Sequence, residues 1–266
     1  MKKIMLITVM CFILVPVFSN AARVKYEVVD VTNGGSLKGK VTTTVEKKDP
    51  VIPITIKPKE SPEETALEKK TCIVHGQGQQ AEMYIISPAK EVKNVLVILE
   101  DIKRGKAAPK KDLKLDNIMC RFEPLVGISY LKSNYVIKNS DPLLHNTNMG
   151  KVLGGGKRRT VYNLALPHKD QVITKKNRVS GLIQVKCDAH PWMRAYIYSS
   201  RHPYVTISDA EGNFEIKDIP PGTYKVRFWH EGFEEVVKEI EIKSGAVFDP
   251  EVVFTKTVEP AFMGGS

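Results

Sequence analysis

Cys187-Asp188-Ala189-His190-Pro191-Trp192-Met193 carries a thiol, an imidazole and a thioether at C-x2-H-x2-M spacing. One tight loop can turn all three side chains towards a common centre. The runs on either side, Leu182 to Lys186 and Ala195 to Tyr198, are apolar and β-branched enough to read as strands. A second imidazole stands upstream in Asn139-Ser140-Asp141-Pro142-Leu143-Leu144-His145-Asn146. Two imidazoles, a thiolate and a weakly held Met sulfur form the ligand set of electron-transfer copper. The candidate ligands are therefore His145, Cys187, His190 and Met193, holding one mononuclear copper. Met is a poor zinc ligand, which separates the two metals. His75, His168, His202 and His230 lack ligand spacing.

Working outward, periodicity predicts β-structure almost throughout. Short alternating runs occur at Val24 to Val31, Lys40 to Val45, Val92 to Leu99 and Ser133 to Lys138, separated by Gly, Pro, Asn and Asp clusters. A short helix is predicted around Pro62 to Lys70. Lys47 to Glu64, rich in Pro, Lys and Glu, reads as a linker or long edge loop. Strands at this spacing predict sandwiches or barrels.

The ligand loop and its flanks resemble the cupredoxins, in particular their plastocyanin/amicyanin-like branch. Cys120-Arg121-Phe122-Glu123-Pro124 is similar to the pattern that opens many such cores, and Gly181 to Lys186 to the strand that feeds the ligand loop. By this resemblance Asn146 hydrogen-bonds across to the Cys187 loop, Pro191 shapes the surroundings of His190, and Trp192 borders an apolar docking face where electrons leave through His190. An ordinary core anchor is the other reading of Trp192. Many sequences of this kind have a second His three residues after the first; this chain has Asn148, so no such accessory role carries over.

The final part differs in character. Asp209-Ala210-Glu211-Gly212-Asn213-Phe214 and Pro220-Pro221-Gly222-Thr223-Tyr224 resemble the turn signatures of carboxypeptidase-regulatory-like, transthyretin-type β-sandwiches, modules that imply a scaffold without chemistry of its own. The whole resembles exported bacterial proteins that join the two kinds of sandwich. The expected fold is all-β, a cupredoxin-like Greek-key sandwich plus a carboxypeptidase-regulatory-like one. Expected boundaries are a signal peptide at 1–22, an N-terminal β region with linker at 23–111, the copper domain at 112–200, the second module at 201–256 and a tail at 257–266. Too few strands follow Tyr204 for an independent sandwich, and 35–105 is expected to complete it, which makes the copper domain an insertion.

Lys2 and Lys3 precede an apolar run from Ile4 to Phe18 and small residues at Ser19 to Ala21, the pattern of a cleavable export signal. The run is short for a membrane span and no later stretch approaches one. A periplasmic or secreted location is expected. Cleavage removes Cys11 and leaves Cys72, Cys120 and Cys187. With Cys187 on a metal, Cys72 and Cys120 form the disulfide pair; alternatively Cys187 pairs with one of them and the remaining thiol is idle.

The formal net charge is +10, with basic clusters at Lys103 to Lys114, Lys157-Arg158-Arg159 and Lys175-Lys176-Arg178. Such a field steers an acidic partner, here a cytochrome or other periplasmic electron carrier; solvated loop charge is the alternative. No aromatic-basic nucleic-acid motif accompanies these runs. No nucleophile elbow, H-E-x-x-H or phosphate-binding loop is present, and Gly154-Gly155-Gly156 stands without flanking pattern. The chain reads as a one-electron carrier rather than an enzyme. The alternatives are a copper-delivery protein and a structural β-sandwich with a vestigial site.

Overall fold

A computed structural model describes residues 25–74, 76 and 78–259. The expected signal segment, Cys11 and His75 lie outside them. Among the described residues, the elements apart from one helix, Pro62–Cys72, are strands.

Four sheets carry the molecule. The first orders its strands Val172–Lys176, Asn134–Asn139, Leu113–Ile118 and Arg121–Glu123. The second orders Lys157–Leu166, His145–Gly154, Gly181–Lys186, Arg194–Ser200 and Val126–Tyr130. Each contains one parallel pair, Asn134–Asn139 with Leu113–Ile118 and Arg194–Ser200 with Val126–Tyr130. Their inner faces enclose Leu115, Phe122, Tyr135, Ile137, Met149, Leu166, Ile183, Val185 and Ile197. Period-2 alternation decides which side chains enter: in Asn134–Asn139 it is Tyr135, Ile137 and Asn139 that are buried.

The other two sheets are built from both ends of the chain. Leu96–Glu100 pairs with Val205–Ile207 and Gly222–His230, and the latter with Phe233–Ile242. Gly35–Thr43 pairs with Asn213–Ile219, Val247–Phe248 and Val252–Phe254. Both sheets mix early and late strands, and the strands from Leu113–Ile118 to Arg194–Ser200 lie between them in the chain. The Asp209 to Phe214 signature is a tight turn: the Asp209 carboxylate accepts from the backbone N–H groups of Glu211 and Asn213 at 3.0 and 2.8 Å. Gly212 has φ +72°, and a Cβ there would lie 2.5 Å from the Val41 carbonyl oxygen, so only glycine fits.

The run Leu96-Val97-Ile98-Leu99 explains how the sandwiches meet. Val97 and Leu99 enter the second core, while Leu96 and Ile98 face the other way, against Val126, Val205, Ile128, Leu182, Tyr198 and Trp229. A strand buried on both faces needs a continuous apolar run rather than an alternating one. Of the strand predicted at Val24 to Val31, the described residues form Glu27–Val28, paired in parallel with Arg104–Gly105.

Candidate metal centre

Two loops at one end of the first sandwich carry the site. Asn139, fully buried, shapes the earlier one: its side-chain amide donates to the carbonyls of Leu143 at 2.8 Å and Leu166 at 2.9 Å, and its oxygen accepts from the Asp141 N–H at 3.0 Å. His145 follows at the head of its strand. The later loop leaves Gly181–Lys186 and returns as Arg194–Ser200. It is closed by a hydrogen bond from Met193 N–H to the His190 carbonyl at 2.9 Å and a longer one from Cys187 N–H to the Met193 carbonyl at 3.4 Å.

The loops converge. Cys187 Sγ lies 3.6 Å from His190 Nδ1 and 4.0 Å from His145 Nδ1, and the two Nδ1 atoms are 3.0 Å apart. His145, Cys187 and His190 are 0, 2 and 2 % exposed. Met193, 1 % exposed, belongs to the same buried cluster as Cys187. Two other groups of potential donors occur among the described residues, Cys72 with Cys120 and His190, and Cys120 with Asp141 and His145. In both the sulfurs are committed, because Cys72 and Cys120 are bonded to each other; Cys187 is a free thiol.

His145 is held at its far nitrogen by a carboxylate, and the far nitrogen of His190 faces another. His145 Nε2 lies 2.7 Å from Asp141 Oδ2, and His190 Nε2 lies 3.4 Å from Glu68 Oε1. The Asp141 pairing fixes the tautomer and orientation of His145 and turns its Nδ1 towards the sulfur. Asp141 is held in turn by the N–H groups of Met119 and Cys120 at 2.7 and 2.8 Å. The thiol is prepared as well. Burial alone would raise its pKa, but hydrogen bonds from His145, His190 and the Asn146 N–H, 3.3 Å from the sulfur, take it down to about 6. Burial opposes charge on His145 too, yet Asp141 and Cys187 raise its pKa; Asp141 itself is lowered against burial by His145 and the two N–H donors.

Asn146 joins the two loops: its side-chain oxygen accepts from the Asp188 N–H at 3.1 Å. Asn148 donates to the Asp188 carboxylate at 3.0 and 3.2 Å, so the position where other sequences have a second His serves here as a brace for the loop. Pro191 is exposed, and the half-buried Trp192 packs its ring 5.1 Å from that of His190. The surroundings of His190 differ from those the resemblance implies. Its edge is not presented to solvent but lies under Pro62–Cys72, facing Glu68. Glu68 was invisible to motif reading, since it sits on a polar helix far away in sequence. Asp141 was in plain view, four residues before His145, within reach of its far nitrogen.

Residues 179–255 match the family model of the carboxypeptidase regulatory-like domain. Among solved structures, the chain is similar to a purple cupredoxin from Nitrosopumilus maritimus, at 18 % identity over 34 % of this chain and 100 % of that one, with a TM-score of 0.29. It is also similar to a mutant of amicyanin in its reduced state, at 16 % identity over 35 and 86 % of the two chains and a TM-score of 0.28. A copper-containing nitrite reductase from Thermus scotoductus SA-01 aligns at 16 % identity and a TM-score of 0.29, over 36 % of this chain and only 24 % of the reductase. No curated protein sequence matches.

Proposed function

We propose that this protein is an exported one-electron carrier that holds a single copper ion between His145, Cys187, His190 and Met193. The observation that carries the reading is a free, buried, acidified thiol facing two imidazole Nδ1 atoms, in a chain whose other two described cysteines are bonded to each other. Soft sulfur suits Cu(I) and imidazole suits both oxidation states, so the donor set fits the metal. Bound copper would supply a Cu(I)/Cu(II) couple.

The chain's own residues do the rest. Asp141 and Glu68 keep the imidazoles turned inward, the Asn146 N–H shares the charge on the sulfur, and burial keeps water off the donors. Little then has to move when the charge of the site changes by one. A disulfide, together with the finding that no described helix is long and apolar enough to cross a membrane, is compatible with export. The partner proposed is a second redox protein, with the basic surface drawing in an acidic face.

The test is the visible absorption and electron paramagnetic resonance of the copper-loaded protein beside Cys187→Ser. An intense thiolate-to-copper band that disappears in the variant is expected, with reversible one-electron cycling and no loss of metal. Absence of the band from the unmodified protein would overturn the reading, and loss of copper on each cycle would point to delivery instead.

A further inference from the structure

We infer that the buried ion pair between Arg194 and Glu231 is a positioning device for Met193, reaching the metal loop from the second sandwich; this rests on the copper reading above. Arg194 directly follows Met193 and forms, opposite Lys186, the last rung of the ladder before the ligand loop. Its Nε and Nη2 atoms donate to the two oxygens of Glu231, each at 2.7 Å, and Nη2 also donates to the Ala81 carbonyl at 2.9 Å. Glu231 stands in the turn between Gly222–His230 and Phe233–Ile242. That turn is itself fixed, by hydrogen bonds from Tyr84 Oη to the Gly232 carbonyl and from Gly232 N–H to His230 Nδ1, both 3.1 Å. A Cβ on Gly232 would meet the Tyr84 ring at 2.5 Å, so the backbone of the turn lies directly against that ring. Three chain segments thus close on the residue next to Met193.

The chemistry favours position over stability as the reason for the pair. Replacing a buried ion pair by apolar side chains is often neutral or stabilising, so the pair is a poor device for holding the fold. A two-pronged guanidinium–carboxylate contact is, by contrast, a strong constraint on distance and orientation. A thioether would be the weakest of the four donors and the one through which the potential of a bound copper would be tuned, so the backbone anchor of Met193 is where constraint would have most effect. The scaffold module would thereby take part in setting the redox properties of a centre it does not touch.

The experiment places Glu231→Gln and Arg194→Lys in copper-loaded protein, each in the natural background and in Met193→Leu. Absorption, electron paramagnetic resonance and the melting of the metal-free proteins are recorded. Neutralising a buried carboxylate shifts a reduction potential by its charge alone, so the potential is not the deciding readout. Expected is a changed intensity ratio of the thiolate-to-copper bands in both variants, absent when Met193 is already Leu. Unchanged bands with a lowered melting temperature would overturn the inference and leave a merely structural pair, as would a spectral change that persists without Met193. If the single variants do not fold, Arg194→Met combined with Glu231→Leu restores apolar packing and is read the same way. No thiolate-to-copper band in the unmodified protein would remove the copper reading and this inference with it.

Discussion

Asp141 does three things with one carboxylate: it holds His145 and accepts from the N–H groups of Met119 and Cys120, which turn through φ values of +51 and +52°. Asp141→Asn keeps the shape and removes the charge that orients the imidazole. Copper affinity is expected to fall about 10–100-fold, measured by competition with a chromophoric chelator; an unchanged affinity would confine Asp141 to the turn. His230 gives a different kind of test. It is buried and accepts a hydrogen bond at Nδ1 from Gly232, which requires the neutral ring, and burial followed by the charge of Arg194 lowers its pKa from 6.5 to about 3. The unfolded chain takes up this proton below about 6.5 and the folded chain does not, so stability falls as pH drops from 6.5 towards 3, at most ~1.4 kcal/mol per unit. The raised carboxyl of Glu231, perturbed first by burial, contributes in the opposite sense, so the imidazole is isolated by comparing two proteins. Urea unfolding of the metal-free chain between pH 7 and 4.5 is expected to show a shallower loss in His230→Gln than in the natural protein. Equal slopes would mean that other groups set the acid limit.

The helix Pro62–Cys72 shows what local chemistry can and cannot announce. Ser61 accepts at the N-cap from the Glu64 N–H, Pro62 opens the first turn beside Glu63 and Glu64, and Lys69 and Lys70 close the last, so its existence was readable from sequence. Its place was not. Only Glu68 and Cys72 are buried, so no apolar stripe indicates where it docks. The hairpin His145–Gly154 and Lys157–Leu166 was hidden for a related reason. Half-exposed strands rich in Asn, Thr, Lys and Arg have little alternation, and Gly154-Gly155-Gly156 discloses its role only as a turn with three positive φ values. The four candidate ligands, by contrast, could be picked out early, because donor types at fixed spacing need no periodicity. An 11-residue helix with so little apolar contact is marginal by itself and depends on its attachments, chiefly the Cys72–Cys120 bond. That bond spans 48 residues, a loop for which chain entropy alone implies about 4 kcal/mol. Replacing both cysteines by Ser is expected to lower stability by an amount of that order and to open Lys69 and Lys70 to trypsin while the rest of the chain stays resistant. Undiminished protection of the helix would show that Glu68 and its contact with His190 are sufficient to hold it.

Across the whole molecule the two sandwiches share more than a linker. Leu96 and Ile98 turn an apolar face from the second core onto the outer face of the metal-bearing sheet, Tyr196 and Trp229 meet with ring centroids 5.0 Å apart, and the Arg194–Glu231 pair is shut between them. The chain also crosses between the sandwiches more than twice: Cys72, between Gly35–Thr43 and Leu96–Glu100 in the chain, already packs into the first core, and the flanking strands pair around residues 113–200 before either of their sheets is complete. Unfolding either body therefore exposes apolar surface on the other and separates the Arg194–Glu231 pair. Calorimetry of the metal-free protein is expected to give one transition, with equal calorimetric and van't Hoff enthalpies. Ile98→Ala tests where that coupling lies. Truncating a buried Ile costs about 2–5 kcal/mol, and this one faces the junction while its neighbours Val97 and Leu99 stay in the second core. A coupling held by the junction predicts that the variant either melts earlier as one unit or splits into two transitions. Two transitions already present in the natural protein would show the sandwiches to be independent, and would return the insertion to a matter of chain topology without energetic consequence.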